Sequence, residues 1–511
     1  MSARGGPSEI RSEYMADDTN AVEAVSGSNV GAQMSYEDMR EWLKEAERLG
    51  ELRVAEGLSW EKDIGEVAEV VLHDENAPAI LFDNVQGCPP GFRLLINFFA
   101  GKRRNMTMGF PTEWDKLELT DGVQQHMKAV QPIPHQIVDS GPICENILEG
   151  DDIDVEKFPA PMWHDQDGGR YIGTGSYNIT RDPDTGWINI GTYRVMIQSK
   201  NEVGFYISPG KHGRIHRDKY EANGESMPAC IVLGGDLMAF LMGCTEMPPN
   251  ENELDILGGY RGHAIECVQG KHTGLPFPAN AEIVLEGFIH PNNRKLEGPF
   301  GEWTGYYGSD VRPEPLMEIK AIYHRNDPII LGCPPLRPPD ELARYRAVTR
   351  SAALKENIQK AGIPDVTGVW AHECGTARML LAISIKQRYP GHAMQTGHVA
   401  AMCHLGAYAG KYVVVVDDDI DVSNLEELTW AMITRSDPAT TIDIIHNCWS
   451  TPLDPRIPPE EKAKGNLTNS RAIIDACRPF HWKDEFPAVN SPPAEVVREL
   501  QQKWAHLAEK P

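Results

Sequence analysis

Ala281-Glu282-Ile283-Val284-Leu285-Glu286-Gly287 is a short apolar run closed by glycine, and it is one of a series. Tyr193 to Gln198, Val203 to Ile207 and Ala229 to Leu233 are similar stretches, with glycines punctuating the region between them. Short strands separated by turns predict an antiparallel, barrel-like domain over residues 170–325, with closure left open by the pattern.

Outward from this centre the periodicity changes. Towards the N-terminus, Ser35-Tyr36-Glu37-Asp38 has the make-up of a capping box. Met39, Trp42, Leu43, Ala46 and Leu49 follow at helical spacing up to Gly50. A second helical stretch, Ile64 to Leu72, leads to the strand candidate Ala79-Ile80-Leu81-Phe82, giving an N-terminal α/β unit over 35–125. The proline-bearing stretch 126–169 reads as a connection. Towards the C-terminus, Leu342 to Ile358 predicts a helix. Tyr412-Val413-Val414-Val415-Val416 predicts a covered strand leaving through Asp417-Asp418-Asp419. Leu425 to Ile433 and Thr441 to Ile445 continue the alternation, so 326–485 reads as a C-terminal α/β domain. Val496, Val497, Leu500, Trp504 and Leu507 form one stripe of a terminal helix within 486–511, and residues 1–34 read as a loose tail.

Composition limits the function classes. The chain has 511 residues, more than one core usually serves, and 41% are hydrophobic. With 49 Lys and Arg against 74 Asp and Glu, the formal net charge is -25, so it lacks the positive footprint of a nucleic-acid binder. A local basic pocket for a small anion remains compatible with that. No window approaches the roughly 18–20 apolar residues of a membrane span, and the tail has no h-region. The 10 cysteines include no Cys-x-x-Cys pair and read as reduced, mostly packed thiols of a cytoplasmic protein.

The densest polar constellation lies in the central region. Asn189-Ile190-Gly191-Thr192-Tyr193-Arg194 places an amide and a guanidinium on a strand or its edge. Glu297-Gly298-Pro299-Phe300-Gly301-Glu302-Trp303-Thr304-Gly305-Tyr306 is a bent segment able to aim two carboxylates at one cavity. Arg194 between Glu297 and Glu302 suits proton transfer: the arginine holds one carboxylate charged while the other carries a proton. Surface pairing or turn formation is the ordinary alternative. Asn189, His212 and Glu253 offer oxygen and nitrogen donors suited to Mn2+ or Mg2+, although His212 could equally be a structural histidine. Lys211, Arg214 and Lys386 are candidate phosphate contacts, yet Lys211-His212-Gly213-Arg214 is no P-loop and no dinucleotide fingerprint is present. His372-Glu373-Cys374 lacks zinc-protease spacing, and no Gly-x-Ser-x-Gly elbow points to a hydrolase.

Taken in order, Gly186 to Lys200, Ala281 to Gly287, Glu297 to Tyr307, Lys386 to Ala393, Tyr412 to Ile420 and Leu428 to Pro438 resemble successive motifs of the UbiD family of decarboxylases. The likeness covers most of the chain after the tail. It implies a multidomain α/β protein in which a central split-barrel flavin-binding-like domain is packed against the C-terminal α/β domain. By that resemblance Arg194, Glu297 and Glu302 are the catalytic set, and Asn189, His212 and Glu253 are the divalent-metal ligands. Prenylated FMN would lie between the domains with Mn2+ and K+ near its phosphate. Ile190, Gly191, Thr192, Tyr193, Arg194, Lys211, His212, Arg214 and Lys386 would bind it. The implied chemistry is reversible nonoxidative decarboxylation with the flavin as electron sink. Glu302 would return a proton to the carbon that loses carbon dioxide. The resemblance further implies a homodimer or larger homo-oligomer and a flavin prenyltransferase as cofactor supplier.

For the substrate, Trp303 favours a planar partner, and Gly465 to Phe486 resembles the branch acting on hydroxybenzoates. A phenolic acid such as protocatechuate or gallate is the leading expectation, with a heteroaromatic or cinnamic-type acid as the alternative. Arg337 and His398 are candidates for contacting polar substituents. A noncatalytic UbiD-like assembly or chaperone protein and an unrelated flavin reductase are the competing accounts.

Overall fold

A computed structural model describes residues 31–508, apart from Glu246, Ser309 and Pro493, so the expected tail lies almost entirely outside the described residues. The first helix, Met39–Arg48, buries Met39, Trp42, Leu43 and Ala46. Its cap is Asp38, whose carboxylate accepts from the Arg40 and Glu41 amides, while the Glu37 amide donates to Glu41 Oε2 at 2.9 Å. The capping chemistry expected around Ser35 therefore sits three residues later in the motif.

The N-terminal sheet has four strands in the order Leu52–Glu56, Ala79–Asp83, Arg93–Ile96 and Ile329–Leu331. The last strand arrives from beyond the central region and pairs parallel to Arg93–Ile96, with Ile329 opposite Arg93. This return stitches the N-terminal unit to the start of the C-terminal one.

The central sheet is nine-stranded and antiparallel. Its longest elements are Ile283–Glu297 and Arg312–His324, paired from Ile283↔His324 to Glu297↔Arg312. One end of the strand order is Tyr171–Gly173, next to Val195–Ser199, and the other end is Ile188–Gly191. Only Thr192, Tyr193 and Arg194 separate Ile188–Gly191 from Val195–Ser199. A linker of that length spans at most about 14 Å between its flanking α-carbons. The sheet must therefore curl until its two ends nearly meet, as in a split barrel. Asn178 Nδ2 fastens the crossing by donating to the Gly191 carbonyl at 3.1 Å and the Tyr193 carbonyl at 3.2 Å.

The C-terminal domain is a mixed five-stranded sheet. Leu380–Ile385, Tyr412–Asp417 and Thr468–Ala476 run parallel in its middle, with Val366–Ala371 and Ile442–Trp449 antiparallel at the edges. Val413 to Val416 are all buried, as a strand covered on both faces requires. Helix Glu341–Lys360 crosses from the central domain into this one, capped by Asp340 through the Ala343 amide at 2.8 Å. The terminal helix Ala494–Ala508 leaves Val496, Leu500, Trp504 and Leu507 exposed along its stripe. Among the described residues no helix is long and apolar enough to cross a membrane.

Candidate active site

The long strand ends at Glu297, where the chain turns off the sheet. Gly298 adopts φ +89°, a left-handed conformation open to glycine, and the Gly298–Pro299 bond is cis. A few residues on, the segment folds back on itself. Gly301 bridges to Tyr307, the Glu302 amide donates to the Tyr306 carbonyl at 3.0 Å, and the Gly305 amide donates to the Glu302 carbonyl at 2.8 Å. Gly305 again needs a positive φ, +80°. Two glycine-dependent turns thus fix where each carboxylate points.

Both point at Arg194. Its Nη2 donates to Glu297 Oε2 at 2.8 Å and its Nη1 donates to Glu302 Oε1 at 2.6 Å. The guanidinium lies over the Tyr206 ring with 4.4 Å to the centroid, and Tyr206 also faces Arg312 at 4.7 Å. Tyr171 Oη donates to the other oxygen of Glu297 at 2.7 Å, and its ring rests on Phe300 at 3.9 Å between centroids. Arg194 Nε has no hydrogen-bond partner among the described residues.

The two carboxylates are not equivalent. Glu297 is held at both oxygens and buried; the recorded bonding of the Glu302 side chain is to Arg194 through Oε1. Burial pushes the Glu302 carboxyl above the ordinary glutamate range, Arg194 pulls it down, and the charge of Glu297 adds to the upward push. For Arg194, burial opposes the charge, but Glu302 and Glu297 outweigh it and hold the guanidinium firmly protonated. One carboxylate is fixed and one is poised to carry a proton beside a permanent cation. That is the division of labour expected of an acid and its tuning partners.

A second group gathers where Ile188–Gly191 leads into the crossing. His212 and Glu253 are the first residues of helices His212–Ala222 and Glu253–Arg261. His212 Nδ1 pairs with Asn189 Oδ1 at 3.2 Å, and Glu253 Oε2 accepts the Ile190 amide at 2.9 Å. Two helix N-termini therefore meet at one strand end, a favourable setting for anionic oxygen. Tyr193 Oη accepts from the Gly213 amide at 3.1 Å. A β-carbon at Gly191 or Gly213 would stand 2.2 or 2.7 Å from that oxygen, so both positions exclude larger residues. Burial pushes the Glu253 carboxyl up to about 7, with the Ile190 amide opposing. Among the described residues no group of three His, Cys, Asp or Glu side chains could hold a metal, so a cation here depends on the mixed set that includes Asn189.

The other predicted contacts are more dispersed. Thr192 and Lys211 border the same group, at the crossing and at the start of helix His212–Ala222. Arg214 turns towards Asp218, at 2.9 Å. Lys386 lies exposed at the exit of Leu380–Ile385, where its amide donates to the Asp365 carbonyl at 3.0 Å, beside the Arg388–Asp365 pair. His398 pairs with Asp443 at 2.9 Å on the exposed side of the C-terminal domain. Arg337 borders the Glu302 turn: a β-carbon at Gly305 would stand 3.0 Å from its α-carbon. Tyr171 and Tyr206 were not anticipated; nothing in an isolated tyrosine of a strand-rich region separates a site residue from core. Across the seam, Arg378 lies over Trp303 at 5.8 Å, bringing the C-terminal domain next to the acid.

Three consecutive domains of one family match the chain. They are the 3-octaprenyl-4-hydroxybenzoate carboxy-lyase N-terminal domain over 41–119, its Rift-related domain over 136–338 and its C-terminal domain over 345–476. The chain belongs to the UbiD family and is a UbiD-class carboxy-lyase. The pyrrole-2-carboxylic acid decarboxylase of Pseudomonas aeruginosa is 29% identical over 489 residues, covering 92% of this chain and 97% of the relative. The vanillic acid decarboxylase of Sedimentibacter hydroxybenzoicus, in its open form, superposes with a TM-score of 0.80 at 27% identity, covering 93% of this chain and 100% of that one. An evolved dimeric form of the UbiD-class enzyme HmfF from Pelotomaculum thermopropionicum, in complex with prFMN, gives 0.76 at 26% identity, covering 90% and 98%. The family accords with the expected order of an N-terminal α/β unit, a split-barrel-like centre and a C-terminal α/β domain.

Proposed function

We propose that this chain catalyses the reversible nonoxidative decarboxylation of a phenolic acid of the protocatechuate or gallate type on prenylated FMN. The observation that carries the reading is Arg194 bonded at once to Glu302, at 2.6 Å, and to Glu297, at 2.8 Å. Family membership supports the carboxy-lyase chemistry, the HmfF complex supports the cofactor, and the likeness to a vanillic acid decarboxylase supports a phenolic substrate.

Arg194, Glu297 and Glu302 are the catalytic residues of this reading. Prenylated FMN, when bound, supplies the sink for the electron pair left behind by carbon dioxide. The protein positions the acid against it and controls the proton. Glu302 donates a proton to the carbon that has lost its carboxylate and recovers one from solvent between turnovers. Arg194 keeps Glu302 aimed, and Glu297, itself held by Tyr171, keeps Arg194 from following the departing charge. Phe300, Trp303 and Tyr206 exclude water from that proton path.

Asn189, His212 and Glu253 fit a Mn2+ or Mg2+ ion. A buried carboxylate pushed up to about 7 accepts the amide of Ile190, the residue next to Asn189, whose side-chain oxygen pairs with the His212 imidazole, and oxygen-rich mixed donors suit these cations. The ion would neutralise phosphate at the two helix N-termini, with K+ as a companion. Ile190 to Tyr193, Lys211, Arg214 and Lys386 are the proposed cofactor contacts. A homo-oligomer and a flavin prenyltransferase as supplier complete the reading.

The 29% identity to a pyrrole-2-carboxylic acid decarboxylase favours a heteroaromatic acid as the second reading. Mass analysis of natively purified protein with its bound small molecules, followed by carbon dioxide release from a panel of phenolic, heteroaromatic and cinnamic acids, decides. Prenylated FMN and release from phenolic acids are expected. Bound flavin with no release from any acid would favour a noncatalytic protein, and ordinary FMN reduced rapidly by NAD(P)H would favour a reductase.

A further inference from the structure

The helices that begin with His212 and Glu253 come from separate parts of the chain, and one side chain touches the approach to both. Trp187 lies in the connection between strands Tyr177–Arg181 and Ile188–Gly191. The Gly186 amide closes that connection by donating to the Asp182 carbonyl at 2.9 Å, and the Asp182 amide donates to the Trp187 carbonyl at 2.8 Å. Gly186 takes φ +74° to make the turn. Trp187 precedes Asn189 by two residues, a spacing that puts side chains on one face of a strand.

The half-buried indole meets the first turn of helix His212–Ala222. Its ring lies 4.8 Å from His212 at 69° and 5.1 Å from His216 at 85°, centroid to centroid. The same two imidazoles are pinned from the sheet. Asn189 Oδ1 pairs with His212 Nδ1 at 3.2 Å, and Thr180 Oγ1 pairs with His216 Nδ1 at 3.0 Å. Thr180 and Asn189 are themselves partners across the ladder. The indole Nε1 donates to the Glu251 carbonyl at 2.8 Å, two residues before Glu253. A ring met nearly edge-on restricts rotation of the His212 imidazole, and a bond to the Glu251 carbonyl fixes the chain that delivers Glu253. Ligands on helix starts are misplaced when the helices shift, so partners behind the ligands commonly set metal affinity.

We propose that Trp187 is a positioning residue for the divalent cation. Its indole braces the start of helix His212–Ala222 by ring contact and the start of helix Glu253–Arg261 through the Glu251 carbonyl, keeping His212 and Glu253 within reach of one ion. This rests on the cation reading above and goes beyond it, since Trp187 is no ligand and acts through residues that are.

Full-length protein is stripped of metal by chelation and titrated with Mn2+, with FMN absent and then present, the free ion being read by electron paramagnetic resonance. Wild type, Trp187→Phe, Trp187→Leu and Glu253→Gln are compared at a temperature where circular dichroism shows each one folded. Wild type should hold an ion that Glu253→Gln loses. Trp187→Leu removes both the ring and the donor and should weaken that site about 10–100-fold. Trp187→Phe keeps a ring beside His212 but drops the tie to Glu251, and it should still bind more weakly than wild type. Wild-type affinity in either Trp187 variant overturns the brace while leaving the cation where it is proposed. A wild type with no site sensitive to Glu253→Gln overturns the cation reading and the brace together. A lower melting temperature with unchanged Mn2+ affinity makes Trp187 a packing residue and likewise overturns the inference. Binding is read without turnover, so a protein that decarboxylates nothing can still pass or fail.

Discussion

Gly168 and Gly298 touch backbone to backbone: a β-carbon on Gly168 would stand 2.0 Å from the Gly298 carbonyl oxygen. The Gly168 amide also donates to the Pro299 carbonyl at 2.8 Å. The link between the two carboxylates proposed as catalytic is thus set by a glycine far away in sequence.

Gly168→Ala should push the Gly298–Pro299 segment outward. Overpacking of this kind costs about 1–3 kcal/mol of stability, and misplacing a catalytic group by an ångström can cost about 10²-fold in rate. Thermal melting and turnover are the measurements. A variant with wild-type kcat would show that the approach tolerates an extra carbon.

Glu302→Gln keeps size and the bond from Arg194 but removes the proton. Flavin content should be retained and turnover should fall about 10²–10⁴-fold. In the wild type, the donor form is lost as pH rises through the carboxyl's raised value, so kcat should fall on the alkaline side with an apparent pKa above the ordinary glutamate value of 4.5. The same sign holds for stability. A group whose folded value is raised favours the fold at low pH and loses that contribution as pH rises through the folded value, so Glu302→Gln should flatten the alkaline decline of melting temperature. An unchanged pH profile removes Glu302 from the donor role.

Tyr171→Phe deletes the donor to Glu297 Oε1, a 2.7 Å bond, with little change in shape. A hydrogen bond to a charged group contributes about 1.5–3 kcal/mol, so stability should drop by that order. Glu297 is left with Arg194 as its side-chain partner, and its competition with Glu302 for that guanidinium strengthens. Turnover should fall about tenfold with substrate affinity held, read as kcat against KM.

Glu253→Gln should lower the divalent metal and flavin recovered with the protein, read by elemental and mass analysis. Chelation of the wild type should do the same without unfolding it, since Asn189, His212 and Glu253 already contact one another or the backbone through protein bonds alone. Full metal and flavin content in Glu253→Gln would move the cation elsewhere.

The glycines of Glu297 to Tyr306 made the carboxylate pair legible, because only a bent segment explains them. Other features resisted for physical reasons. The short run expected over Ala281 to Gly287 continues as one strand to Glu297, absorbing the extra residues as a register shift between Ile289 and Arg294 with Asn292 at φ +61°. Ile329–Leu331 was invisible as a strand of the N-terminal sheet, since pairing across more than two hundred residues leaves no local trace. Tyr171 owes its interest to what surrounds it in space, which no spacing rule encodes.

The short crossing from Gly191 to Val195 has a mechanical consequence. Arg194 is clamped between both rims of one curled sheet, and Glu297 ends a strand of that sheet, so neither can drift without unzipping it. Glu302 is mounted differently: a β-carbon at Gly308 would stand 3.3 Å from its Cγ and 2.9 Å from Leu453 of the C-terminal domain. The arginine is thus part of the sheet itself, while Glu302 sits on a turn whose Gly308 approaches Leu453 of the C-terminal domain.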